Sequence, residues 1–198
     1  AEHVARGRML LAEGKIDAAI SEFQRAIKMN AKDGAALLNL AQAYERGNRN
    51  DEAVDAYRKS IEVEPRNFYA HNNLGVLYDK QGKYDEAIAE FQSALTHQPN
   101  DPMAVRNLET AKKNKAAVQE RKSQITRAMQ EVESKPQDPI PAYQLARVHA
   151  SHGNQKTALE WLGKAIQLGY KDFTYIQSDP AFITLRDERE FQLLLLRK

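Results

Sequence analysis

Apolar and small residues recur along the first hundred positions at spacings of three and four, the period of helices with one buried stripe. Gly7 and Leu10 precede Ala19, Phe23 and Ala26. Leu40, Ala41 and Tyr44 precede Ala53 and Tyr57, and Leu74, Gly75 and Tyr78 precede Ala87 and Phe91. A short polar turn divides each set: Glu13-Gly14-Lys15, Gly47-Asn48-Arg49 and Gln81-Gly82-Lys83. The pattern predicts three helical hairpins. Pro65 and Pro99 are placed to stop the second helix of the second and third hairpins.

Pro65 and Pro99 are 34 residues apart, and the matched positions of all three sets keep the same interval. Small residues stand where helix axes must approach closely. The rings of Tyr44, Tyr57, Tyr78 and Phe91 are expected to fill the space between hairpins. In this spacing residues 1–100 resemble three successive tetratricopeptide repeats. The resemblance implies an all-α fold, a right-handed superhelical solenoid of helical hairpins whose concave groove is lined by the first helix of each unit. One departure stands out: the tryptophan common near the start of such a repeat is replaced by His3, Leu37 and His71.

The pattern decays from Asp101. Leu108 keeps its place, but Glu109, Lys112 and Arg121 stand where Gly, Tyr and Ala are expected, and no Gly or Pro interrupts the chain from Met103 to Lys135. Residues 101–137 therefore read as one long connecting helix, with a degenerate hairpin turning near Asn114 as the alternative. Pro136, Pro139 and Pro141 mark a boundary. Beyond it, Leu145, Ala146, Gly153, Ala158, Leu162 and Ala165 restore the spacing, with His149 in the tyrosine position, and predict a fourth hairpin over 138–170. Residues 171–198 hold Asp179-Pro180, a helix-start signal, followed by Phe182, Leu185, Phe191 and Leu194 on apolar faces. They are expected to form short helices that cap the open end of the solenoid, and they resemble the closing segment of many bacterial tetratricopeptide proteins.

Composition adds little to this picture. Of 198 residues 42% are hydrophobic, and 28% are charged with a net charge of +2, so any partner must be recognised locally and not by a global field. The densest local charge is Lys112, Lys113, Lys115, Arg121, Lys122 and Arg127 against Glu120. With no interleaved aromatic and no nucleic-acid motif, this stretch reads as a solvated helix face, and nucleic acid or anionic lipid is not the expected partner. The absence of cysteine removes disulfides, thiolate catalysis and Cys-based zinc sites. The longest aliphatic run, Leu193 to Leu196, is far too short to span a bilayer. No compartment is fixed by these features. The cytoplasm is the default expectation, with export or membrane tethering left open if a leader has been trimmed ahead of Ala1.

Catalytic patterns are equally sparse. Gly7 to Lys15 departs from a phosphate loop, because six residues separate its glycines where four are required and Ile16 follows the lysine. His149 and His152 share a helix face but lack a third ligand at a metal-site spacing. Asp85-Glu86 reads as the acidic opening of a helix. The expectation is a protein that is not an enzyme and has no cofactor or metal.

Asn39, Asn73 and Asn107 recur one repeat apart, each just before the leucine of a first helix. An amide both donates and accepts, so a row of amides suits the backbone of an extended peptide. The arrangement resembles the asparagine ladder in the superhelix of O-linked N-acetylglucosamine transferase. The places of the clamp that holds chaperone tails in other tetratricopeptide domains are taken here by Val4, Arg8, Asn72 and Val76, of which only Arg8 is basic. The sequence thus points to a scaffold binding an extended or helical segment of another protein, with Asn39, Asn73 and Asn107 on the segment's backbone and Arg8, Gln42, Arg46, Tyr69, Asn72 and Arg106 nearby. Two rival readings stand beside it: a self-assembling structural protein, for which the long helix offers a homodimer face, and the regulatory part of a larger enzyme.

Overall fold

In a computed structural model, which describes residues 2–196, the chain is helical, with no strand among those residues. Three hairpins come first: α1 (Glu2–Ala12) with α2 (Ile16–Met29), α3 (Gly34–Arg46) with α4 (Asn50–Val63), and α5 (Phe68–Lys80) with α6 (Tyr84–His97). α7 (Pro102–Ser134) is one unbroken helix of 33 residues. A fourth hairpin, α8 (Pro139–Ser151) with α9 (Gln155–Gln167), leads to α10 (Phe173–Ser178), a 3₁₀ turn (Pro180–Phe182) and α11 (Arg189–Leu195). The chain forms two compact units that divide inside α7, one ending at Lys115 and the other starting at Ala116.

The local chemistry repeats with the sequence interval. α3, α5 and α7 each start on a short Asx cap: Asp33 accepts from the Ala36 N–H, Asn67 from Ala70 and Asp101 from Ala104, at 2.9, 3.1 and 2.8 Å. α1, α3 and α5 are each followed by a left-handed residue, Gly14, Asn48 and Gly82, with φ of 76°, 56° and 73°. The next N–H bonds back five residues, Lys15 to Leu10, Arg49 to Tyr44 and Lys83 to Tyr78, each at 2.9 Å. Gly153 repeats the device in the fourth hairpin. In the second turn the strained position is held by Asn48, while the adjacent Gly47 lies at φ −83°. The next position of this series, 34 residues after Gly82, is Ala116. A Cβ in the left-handed region costs about 1–2 kcal/mol, so no turn forms there and α7 continues.

In the first unit the rings anticipated from the sequence lie in the core. Phe23, Tyr57 and Phe91 are fully buried, with Tyr44 and Tyr78 close behind. Gly7 and Gly75 are required by close approach: a Cβ on them would stand 2.5 and 2.7 Å from the rings of Phe23 and Phe91. The front half of α7 closes this unit. Ala104 packs with Phe68 and Ala94, and Ala111 joins the main cluster.

The second unit takes Ala128 and Val132 from the rear of α7 against Leu145 of α8, and Trp161 of α9 packs alongside. Its larger cluster joins Tyr143, Ala146, Ala158 and Leu162 to Ile176, Phe182, Leu185 and Phe191, so the tail seals the last hairpin. Asp179 sits inside this seal. It caps the 3₁₀ turn by accepting from the Ala181 N–H, accepts from the Tyr143 hydroxyl, and pairs with Arg147 Nε at 2.7 Å. No helix among the described residues is long and apolar enough to cross a membrane.

Candidate functional site

Residues 34 apart occupy the same level on successive first helices, so α1, α3 and α5 present matching rows of side chains on one side of the first unit. There they enclose an open groove of about 750 Å³, lined by Arg8, Leu11 and Ala12 of α1, Leu38, Asn39, Gln42, Glu45 and Arg46 of α3, and Tyr69 and Asn73 of α5. Its size is that of an ordinary ligand cleft.

Six of the nine residues singled out in the sequence line this groove: Arg8, Asn39, Gln42, Arg46, Tyr69 and Asn73. The other three do not. Asn72 is buried, and its Oδ1 accepts from Asn107 Nδ2 at 3.1 Å, so both amides hold α7 against α5. Arg106 is exposed on α7, outside the lining. Asn39 Nδ2 donates to the Ala35 carbonyl of its own helix at 2.6 Å. Equal spacing along the sequence therefore does not produce three equivalent amides. The neighbours of each helix decide which amide stays open.

Sequence reasoning passed over Leu11, Ala12, Leu38 and Glu45. The signal was present, because Leu11 and Ala12 stand one repeat before Glu45 and Arg46. Glu45 accepts from the Tyr57 hydroxyl at 3.0 Å and from Lys80 Nζ at 2.9 Å. Burial and that carboxylate both raise the Tyr57 phenol pKa, so Tyr57 stays a proton donor. Arg46 Nη1 donates to the Leu11 carbonyl at 2.9 Å, sharing that acceptor with the Gly14 N–H at the end of α1, which fixes the guanidinium on the groove wall. Tyr69 is 61% exposed and places an aromatic ring at the rim.

Behind the groove, α5 is anchored by His71. Its Nδ1 lies 2.7 Å from a Glu90 carboxylate oxygen and its Nε2 lies 3.0 Å from the Pro65 carbonyl. Both partners are acceptors, so only the doubly protonated ring satisfies both. The Glu90 hydrogen bond raises the His71 pKa above the ordinary histidine value, against the opposing effect of burial. His149 differs: burial lowers its pKa, and neighbouring His152 contacts Gln124. Among the described residues, no three His, Asp or Glu side chains converge as a metal site.

Comparison with known proteins agrees with this architecture. Tetratricopeptide repeat family profiles match residues 4–62 and 68–101, and a TPR repeat profile matches residues 46–82. No curated protein matches the sequence. Among solved structures, the second TPR domain of human RPAP3, determined in complex with the HSP70 peptide SGPTIEEVD, is 26% identical, with a TM-score of 0.53 over 56% of this chain and 92% of that one. MamA is 18% identical, with a TM-score of 0.53 over 82% of this chain and 93% of that one. YrrB, described as a TPR protein with an unusual peptide-binding site, is 18% identical, with a TM-score of 0.54 over 89% of each chain. With matched repeats running from residue 4 to residue 101, and three hairpins built on one 34-residue interval, the chain belongs to the tetratricopeptide repeat proteins.

Proposed function

We propose that the chain is a non-catalytic adaptor whose first unit binds an extended segment of a partner protein in the groove of α1, α3 and α5. The observation that carries this reading is the lining itself. An exposed ring, Tyr69, the amides of Gln42 and Asn73, and the guanidinium of Arg46 converge on one cleft of about 750 Å³. The backbone of an extended chain carries one donor and one acceptor at each residue and meets such a surface with hydrogen bonds, while the ring takes an apolar side chain. The one carboxylate of the wall, Glu45, is already held by Tyr57 and Lys80 and serves structure. RPAP3 with its bound HSP70 peptide shows that a domain of this fold takes a peptide ligand, and this supports the reading for the present chain.

The test is a selection of displayed random peptides against the wild-type protein and against Tyr69→Ala/Asn73→Ala, whose folding is checked by circular dichroism. Enrichment by the wild type and not by the variant is the expected result. Equal enrichment by both would place peptide binding elsewhere on the chain, and the groove reading would fail.

A further inference from the structure

The charges and levels of the groove residues narrow the class of segment it takes. Three charged side chains line the groove: Arg8, Arg46 and Glu45. Glu45 is neutralised by Lys80. Among the described residues, Arg8 and Arg46 enter no salt bridge, and both are exposed. Arg46 is already positioned by the Leu11 carbonyl through Nη1 alone, which leaves its other N–H groups to donate. The wall therefore has two uncompensated positive charges, one of them oriented before any ligand arrives.

Their position relative to Tyr69 follows from the repeat. On the scale of α3, Tyr69 stands level with residue 35, Asn73 with Asn39, and Arg8 with Gln42, while Arg46 lies furthest along. Eleven residues of helix separate the Tyr69 level from Arg46, about 16 Å at 1.5 Å per residue. One lateral step of about 9 Å between packed helices brings the diagonal to about 19 Å. The path from Tyr69 to Arg8 has a shorter rise and two lateral steps, and comes to about 21 Å by the same reckoning. An extended chain covers about 20 Å in about six residues, and fewer once the reach of the side chains is allowed for.

We infer that the groove selects a partner segment carrying an internal Asp or Glu about four to six residues from an apolar side chain, the carboxylate meeting Arg46 and Arg8 and the apolar group meeting Tyr69. This rests on the groove reading above. The chemistry named is a side-chain carboxylate, and the amides of Asn73 and Gln42 lie between the two ends to hold the intervening backbone.

The experiment takes peptides enriched by the wild-type chain, synthesises them with amidated C-termini, and measures affinity by fluorescence anisotropy. Each peptide is paired with its Asp→Asn or Glu→Gln version, and each is measured against the wild type and against Arg8→Gln/Arg46→Gln. Glutamine at 46 keeps a donor for the Leu11 carbonyl. The expected result is enrichment of the spaced acidic and apolar pair, about tenfold weaker binding when the peptide's acid is neutralised, and near-equal binding of both versions to the double variant. Enriched peptides without an acid, or equal binding of both versions to the wild type, would overturn the inference and leave the groove reading standing. Loss of binding on amidation would overturn it in favour of a chain-terminal carboxylate. No enrichment at all would remove the groove reading together with it.

Discussion

Replacing Gly75 with alanine tests the packing of the first unit at its tightest point. The added Cβ would stand 2.7 Å from Phe91 Cε1 and 2.8 Å from Cδ1, whereas carbon atoms pack comfortably at about 3.5–4.0 Å. The ring must retreat by about 0.8 Å to restore such a contact, and Phe91 is almost wholly enclosed in the core. Overpacking of this kind costs about 1–3 kcal/mol. Alanine at a helical glycine returns about 0.5–1 kcal/mol through backbone entropy, so the single variant is destabilised by at most about 2.5 kcal/mol. A double-mutant cycle separates the two effects. In a Phe91→Leu background Cε1 and Cζ are gone and the two Cδ methyls can turn away from the glycine, so Gly75→Ala should now stabilise by about 0.5–1 kcal/mol, giving a coupling of about 1–3 kcal/mol. Urea denaturation of all four proteins, followed by circular dichroism, reads the cycle. Stabilisation by Gly75→Ala with Phe91 intact, and no coupling, would show that the ring does not lie over the glycine.

Four further outcomes are expected. Ala87→Leu, at a position with no exposed surface, should lower the urea midpoint by the equivalent of about 1–3 kcal/mol. Asn48→Gly should raise it by about 0.5–1 kcal/mol, because glycine takes the left-handed conformation at no steric cost. The His71 contribution carries a sign. Its folded pKa is raised, so the stabilisation is complete below the unfolded histidine value and fades as pH climbs through the folded one. The wild-type midpoint should accordingly fall between pH 6 and pH 9 by more than that of His71→Gln. Asp179→Ala leaves the buried Tyr143 hydroxyl without its acceptor and frees the part-exposed Arg147, and should cost the second unit about 1–3 kcal/mol, read in the emission of Trp161.

The hairpins were legible in the sequence because their rules are local and repeated. Apolar spacing, a left-handed residue at each turn and, from Asp33 onward, an Asx cap all recur at one interval, so each copy corroborates the others. The unbroken α7 follows from the same rules by exception, through an alanine where the series has Gly or Asn. The groove was less legible. Leu11 and Glu45 share one repeat position and could be read from it, whereas Asn72 and Asn107 leave the groove because they find each other across α5 and α7. That pairing depends on how closely two helices approach, which no spacing along one chain encodes. The anchoring of Arg46 on α1 was hidden for the same reason: its acceptor is a backbone carbonyl 35 residues away.

From Ala116 to Arg127, α7 has no buried residue, although Ala111 before it and Ala128 after it are both enclosed. Apart from Gln124, which His152 contacts, no side chain of this stretch makes a hydrogen bond outside α7 among the described residues, and none must leave a core before its amides open. Their protection against deuterium is then set by the helix-coil equilibrium of a solvated segment and not by the unfolding of either unit. In an exchange experiment this one helix should label as three: slow at Ala104–Ala111, fast across Ala116–Arg127, and slow again at Ala128–Val132.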